Sequence, residues 1–377
     1  MSETGFIIFS GYNQRAVIAL CRTLEYYSLP FYIIALSPED TIFLSSYQRN
    51  IGAVRGSTKL DIEDLGRCIK RIIEASKHKK YIIAPSSESM NLLFLRNQEC
   101  IQEFKCVIPL VYLEQYKQIS EKYRFCRLCD KYSISIPKEI DINSEFNYPI
   151  VAKPVSDIAK DGRRLYPQII KNSEEYNLFL KDNNPDEHFF QEYIRGMSYY
   201  LLYYFYRNGN IDKLSQRNLI QQGGGKSIVA AESSSLHNKK EYEYFDKMLK
   251  DINFYGLIMI EIKVKDSTFY MIEANPRMWG PSQLMLDAGK NLFVSMINDY
   301  CDLDLSINSK RINKKALYFW AGGFFSSFGE KDLTWYCEKS YFARNIREFF
   351  QSEIYGRNDT VGIFNSEVAQ SLSTKAL

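Results

Sequence analysis

Gly256-Leu257-Ile258-Met259-Ile260-Glu261-Ile262-Lys263-Val264-Lys265-Asp266-Ser267-Thr268-Phe269-Tyr270-Met271-Ile272-Glu273-Ala274-Asn275-Pro276-Arg277 reads as a β-hairpin. Ile258, Ile260, Ile262 and Val264 alternate with Met259, Glu261, Lys263 and Lys265, which is the two-residue period of a strand. Lys265-Asp266-Ser267 suits a turn, and Thr268 to Ile272 is a second β-rich run. Pairing the runs about that turn sets Glu261 opposite Met271 to Glu273. The two glutamates become direct or diagonal neighbours on one face. Asn275, two residues on, shares that face if the strand continues.

Two carboxylates and an amide on one face repel each other unless a cation sits between them. Such oxygen ligands suit Mg²⁺, which takes one or two carboxylates and leaves its other positions to water and phosphate. Arg277 offers a planar fork for a phosphate or a carboxylate. The same charges also fit a solvated hairpin edge. The order Glu, about a dozen residues, then Glu-x-Asn-x-Arg resembles the metal-binding strands of the ATP-grasp superfamily, which includes biotin carboxylase, carbamoyl phosphate synthetase and D-alanine ligase. That resemblance implies Glu261, Glu273 and Asn275 as ligands for Mg²⁺, with Mn²⁺ as the other admissible ion, and Arg277 as a catalytic residue.

Bulk properties fit this class and exclude others. A chain of 377 residues holds two or three lobes rather than one core. The longest apolar runs, 199–206 and 316–325, are too short to span a bilayer, so no membrane role is expected. Met1-Ser2-Glu3-Thr4 has no basic head or cleavage site of a signal peptide, and the expected compartment is the cytoplasm. The net charge of +3 is scattered and gives no reason to expect a nucleic-acid groove. The eight cysteines then read as free thiols. Cys126-Arg-Leu-Cys129 lacks a second ligand pair for zinc, so both are read as helix packing residues.

From the N-terminus, Phe6–Phe9, a helix over 14–27 and Phe31–Leu36 form a βαβ unit, which implies a parallel sheet. It has no full GxGxxG pattern for a dinucleotide. A helix over 61–76, a strand over Tyr81–Ala84 and a strand at Cys106–Pro109 extend it. Pro85-Ser86-Ser87-Glu88 falls at the ligand-facing edge of such a sheet, though a helix cap is the simpler role for Ser86 or Ser87. Residues 1–111 resemble the lobe that precedes the nucleotide-binding part of ATP-grasp enzymes.

Further motifs follow in the family's order. A helical passage runs over 113–131, and Ser120 to Phe125 resembles the helix start whose lysine, here Lys122, reaches nucleotide phosphates. Ser133–Pro137 matches a small strand. Tyr148 to Pro154 ends a buried strand on Lys153-Pro154, and in the family that lysine binds phosphates. The loop after it, 155–162, keeps only Gly162 of the family's glycines, with Lys160 as an alternative source of charge. Phe189 to Gly196 resembles the adenine-binding strand and hinge: Gln191 matches the side-chain contact, Glu192 and Ile194 the backbone contacts. The next strand, 198–206, has Met197-Ser198-Tyr199 where many members carry Glu. Gln216-Arg217-Asn218 before Gly223-Gly224-Gly225-Lys226 resembles the segment facing the γ-phosphate and acceptor, which makes Arg217 a catalytic candidate. A helix is expected over 239–251 and another through Leu284, Phe293 and Met296. Residues 312–377 carry no functional signal. There Phe319–Phe324 is read as strand or turn, 335–350 as helix, and the Ser-rich last dozen as frayed.

The expected fold is α/β: a parallel-sheet lobe over 1–111, a two-subdomain α+β ATP-grasp lobe over 112–310 and a small appendage over 311–377. The resemblance implies ATP and Mg²⁺ as cofactors and an ADP-forming ligase that joins a carboxylate to an amine through an acyl phosphate. Small-molecule carboxylates and amines are the expected partners, and a homodimer is compatible. Bicarbonate as acceptor, as in biotin carboxylase, and a non-catalytic nucleotide-binding scaffold are the other readings.

Overall fold

The computed structural model describes residues 3–156, 159, 161, 163, 165–306, 315–327 and 333–373. Lys160 and Gly162 lie outside them. Strands β1 (Thr4–Phe9), β2 (Phe31–Ala35), β3 (Ile51–Val54), β4 (Lys80–Ala84) and β5 (Cys106–Val107) form a parallel sheet in the order β3-β2-β1-β4-β5. Phe6, Ile7, Ile8 and Phe9 are all fully buried, an unbroken apolar run that suits a sheet covered on both faces. Helix Gln14–Tyr26 covers one face, where Phe6 and Ile8 pack with Val17, Leu20 and Leu24. Helix Ile62–Ser76 covers the other, where Ile7 and Phe9 meet Leu65, Ile69 and Ile72. The strand order reverses between β1 and β4, so a crevice opens beyond their C-terminal ends. The turn after β4 is Pro85–Ser87, and Ser87 caps the next helix by accepting from the Met90 N–H.

Among the described residues the other strands make two antiparallel sheets. The smaller has the order β7-β6-β8, with β6 (Ile150–Pro154), β7 (Gln168–Ile170) and β8 (His188–Glu192). The larger contains β9 (Met197–Phe205), β10 (Ile211–Gln222), β11 (Ile228–Ser234), β12 (Gly256–Lys265), β13 (Thr268–Asn275), β14 (Leu317–Phe319) and β15 (Leu333–Trp335). Its order is β13-β12-β9-β10-β11-β14, with β15 paired to β10. Leu201, Tyr203, Phe205, Ile258, Ile260 and Ile262 pack beneath helices Leu113–Ser120, Lys122–Lys131 and Glu243–Asp251. Tyr200, Leu202, Tyr204, Leu257 and Met259 pack on the opposite face, toward helices Gln14–Tyr26 and Leu292–Cys301. The side of the hairpin that reads as its wet face is therefore interior: Met259, Glu261 and Lys263 are 4%, 6% and 8% exposed.

Several local expectations change. The passage over 113–131 is two helices, because Glu121 takes an extended conformation (φ −75°, ψ 113°) and Lys122 starts the second. Cys126 and Cys129 are buried on that second helix. Ser133–Pro137 forms no strand; the segment docks through single bonds, such as Met271 N–H to the Ser135 carbonyl at 2.8 Å. Trp335 ends a strand, and the helices beyond it are Lys339–Arg344 and Ile346–Gln351. The described part of the C-terminal run is helix Val361–Ser373, with Ile363 fully buried, and residues 374–377 lie outside the described residues. Three-residue strands such as β14 and β15 are too short to show a period in the sequence.

Gly196 joins β8 to β9 against the hairpin. A Cβ built on it would lie 2.5 Å from the Val264 carbonyl oxygen, which is backbone and cannot rotate away. Gly196→Ala should therefore push β9 off β12 and cost about 1–3 kcal/mol. A denaturant midpoint equal to wild type would contradict that close approach.

Candidate nucleotide and metal site

Asp266 and Ser267 both take positive φ, 48° and 65°, giving the two-residue turn whose twist matches the paired strands. Counting back from Lys265↔Thr268, unbroken pairing would set Glu261 against Ile272 and turn Glu273 to the other face. A register shift between Glu261 and Ile262 prevents this. Ile272 is the extra residue, and Glu261 pairs directly with Glu273, Met259 with Asn275. The same bulge makes the Ile272 carbonyl available, and the Lys153 ammonium donates to it at 2.8 Å.

The glutamates form part of the wall of a cavity of about 650 Å³. One side is built by β6, β7 and β8, the other by β10, β12, β13 and β15. Lys122, Lys153, Gln191, Glu192, Ile194, Glu261, Glu273, Asn275 and Arg277 all line it. Within the wall, Asn275 Nδ2 donates to Glu273 Oε1 at 2.8 Å, and Arg277 Nη2 donates to Asn275 Oδ1 at 3.1 Å. Burial, and then the facing Glu273, push the Glu261 carboxyl above its ordinary range; Lys263, a hydrogen bond from Ser198 and Lys153 pull it back. Burial also holds the Lys153 ammonium below its usual range, with Cys126 and Glu273 opposing and Lys122 assisting. Gln191 Nε2 donates to the Pro137 carbonyl at 3.1 Å, which leaves its buried Oε1 without a partner among the described residues.

Arg217 is not part of this constellation. It pairs in register with Tyr199, on the face away from Glu261, and forms an ion pair with Glu232 at 3.2 Å. Asn218 takes the inner face instead: its Nδ2 donates to Ser198 Oγ at 2.8 Å, and Ser198 Oγ donates to Glu261 Oε1 at 3.3 Å. The residue expected to face the acceptor is thus committed elsewhere by strand alternation.

Several wall residues were not singled out as site residues from the sequence. Glu88, on the helix after β4, reaches the cavity from the N-terminal sheet and lies 3.9 Å from Arg277 Nε. Its place beyond the strand-order reversal was the available signal. Lys263 entered only as one position of the strand alternation. Thr334 and Tyr336 come from a segment that carries no motif.

The donor set fits a hard divalent cation. No group of three or more His, Cys, Asp or Glu side chains suited to a metal occurs among the described residues. Two facing buried carboxylates with an adjacent amide are what remains, and Mg²⁺ accepts such a partial shell when phosphate and water complete it.

Residues 119–281 match the family model of an ATP-grasp domain. The chain carries an ATP-grasp domain. No curated protein matches the sequence. Among solved structures, an ADP complex of N5-carboxyaminoimidazole ribonucleotide synthetase is similar, with TM-score 0.61, 13% identity and coverage of 85% of this chain and 82% of that one. A biotin carboxylase from Campylobacter jejuni, in a β,γ-ATP complex, gives TM-score 0.59 and 14% identity over 83% and 73%. The biotin carboxylase domain dimer of the Hydrogenobacter thermophilus 2-oxoglutarate carboxylase, with MgADP, ADP and bicarbonate, gives 0.58 and 14% over 80% and 70%. At such identities the likeness speaks for the fold, over more of the chain than residues 119–281 alone. No helix among the described residues is long and apolar enough to cross a membrane.

Proposed function

We propose that this ATP-grasp protein is an ADP-forming ligase acting on a carboxylate and an amine. A carboxylate oxygen takes the γ-phosphoryl group of ATP, and ADP leaves. The amine nitrogen then attacks the acyl carbon, phosphate leaves, and an amide remains. The supporting observation is the direct Glu261–Glu273 pair in a cavity also lined by Lys122, Lys153 and Arg277. Glu261, Glu273 and Asn275 would hold Mg²⁺, or Mn²⁺ in its place, and the bound ion would supply charge neutralisation to the phosphates. Lys153 is already anchored by the Ile272 carbonyl, so its charge is placed before any ligand arrives. Lys122, at a helix start across the cavity, adds a second ammonium. The unpartnered Gln191 Oε1 is an acceptor for an exocyclic amine of a purine, and the backbone of Glu192 and Ile194 lies beside it. Arg277, braced by Asn275 and facing Glu88, would take the acyl oxygen or the transferred phosphoryl group. Such a site works by positioning and charge rather than by covalent participation of the protein.

Hydroxylamine tests this reading, because it intercepts acyl phosphates in place of the amine. Incubation with MgATP, hydroxylamine and a panel of carboxylic acids should give ADP and a hydroxamate in equal amounts with one class of acid. ADP release that is independent of any acid, or none with any acid or with bicarbonate, would count against it.

A further inference from the structure

Lys263 has no part in the chemistry above, yet it lines the same cavity and is 8% exposed. Its ammonium makes no hydrogen bond and no ion pair among the described residues. It lies instead between two rings, 4.8 Å from the centroid of Tyr193 and 5.4 Å from that of Tyr336. Ring faces attract a cation, but they do not replace the acceptors that an ammonium's three N–H groups require. The side chain is largely buried, and its ammonium faces the cavity with no protein acceptor for its N–H groups among the described residues. Glu261 is two residues back on the same strand face, roughly 7 Å along it, and forms no ion pair with Lys263. A divalent cation on the glutamate pair would neutralise that carboxylate and leave Lys263 with still less compensation.

The surroundings hold the ammonium in place. The Tyr336 hydroxyl donates to Gln221 Oε1 at 2.8 Å, and Gln221 Nε2 donates to the Lys226 carbonyl at 2.9 Å. Tyr336 is thereby tied to the end of β10 and the glycine turn, with its ring over Lys263. It lies outside the matched domain of 119–281, so the C-terminal segment completes this part of the cavity. Along the hairpin, Lys263 pairs with Tyr270, toward the turn, whereas Arg277 follows Asn275, beyond the other side of the glutamate pair.

We propose that Lys263, framed by Tyr193 and Tyr336, is an oxyanion-binding group that takes a phosphate or carboxylate oxygen of a bound ligand on the side of the glutamate pair opposite Arg277. The inference rests on the reading of the cavity as a site for a nucleotide and an acid. The oxyanion comes either from the nucleotide's phosphate chain or from the acid substrate.

Titration of the full chain separates the sources. If the nucleotide supplies the oxyanion, Lys263→Met weakens MgADP at least tenfold and leaves adenosine unchanged, an asymmetry that a merely structural role would not produce. If the acid supplies it, MgADP affinity is unchanged, and in the hydroxamate assay the KM for the accepted acid rises at least tenfold with kcat within threefold of wild type. Lys263→Arg restores most of either loss. Tyr336→Leu gives a smaller loss of the same kind and carries the test if Lys263→Met does not fold. Wild-type MgADP affinity together with a wild-type KM in Lys263→Met overturns the proposal. Should the wild type form no hydroxamate, the ligase reading fails by itself, and unchanged MgADP affinity then overturns this one as well.

Discussion

Glu273→Gln should abolish turnover of MgATP while making the ligand-free protein slightly more stable. The two effects share one cause. Glu273 faces Glu261 directly across the hairpin, and burial and this neighbour together hold the Glu261 carboxyl above its ordinary range. Replacing one carboxylate by an amide of the same shape removes the like-charge contact. The Asn275 Nδ2 that donates to Glu273 Oε1 still finds an oxygen there. The melting temperature should therefore rise, by about 1–3 °C for a gain near 1 kcal/mol in a chain of this size. Loss of a preorganised charged group at the reacting phosphates should cost about 10²–10³ in turnover or more. Glu273→Gln with wild-type ATP-dependent activity would remove the metal assignment. A melting temperature several degrees lower would show that the pair is structural instead.

How far this site could be read from the sequence varied with the kind of information each residue carries. The hairpin's alternation and Glu-x-Asn-x-Arg spacing led directly to Glu261, Glu273, Asn275 and Arg277, because side chains two apart on a strand share a face. That Glu261 and Glu273 pair directly was legible only as one of two outcomes. It depends on the bulge at Ile272, and a bulge leaves no trace in hydrophobic periodicity. Lys122, Lys153 and residues 191–194, which line the cavity, were picked out through motif order. Arg217 failed because a motif gives position along the chain, whereas the face it takes is set by its pairing with Tyr199. Lys263 was not singled out for a related reason: a lysine in an alternating run gives no sign of a site unless another layer covers it. The layers here are β6 to β8 and the segment that carries Tyr336, both distant in sequence. The parallel sheet was legible from the βαβ unit over 6–36. The attachment of β14 and β15 was not, since three residues each give no pattern.

Arg22→Ala should destabilise the whole chain by about 3 kcal/mol at neutral pH, the scale for breaking a largely buried ion pair and leaving one charge behind. The guanidinium sits on helix Gln14–Tyr26 and makes five hydrogen bonds: to both carboxylate oxygens of Asp359, to Gln283 Oε1, to the Ile354 carbonyl and to Thr360 Oγ1. It thus ties the N-terminal sheet to the C-terminal segment and to the helix after the β12–β13 hairpin. The pH dependence has a definite sign. Burial tends to raise the Asp359 carboxyl, but the bonds and charge from Arg22, with hydrogen bonds from Tyr47 and Thr360, outweigh it and hold the pKa below the ordinary 3.8. A carboxylate depressed in the folded state stabilises fully above its unfolded value and loses that contribution as pH falls through its folded one. The stability gap between wild type and Arg22→Ala should be widest at pH 5 to 7 and should narrow below about pH 4. Chemical denaturation across that range measures it, and a gap that is absent at pH 7 or constant in acid would refute the assignment. Arg22→Lys should recover little, because one ammonium nitrogen cannot meet Asp359, Gln283, Ile354 and Thr360 at once, whereas the planar fork does so without strain.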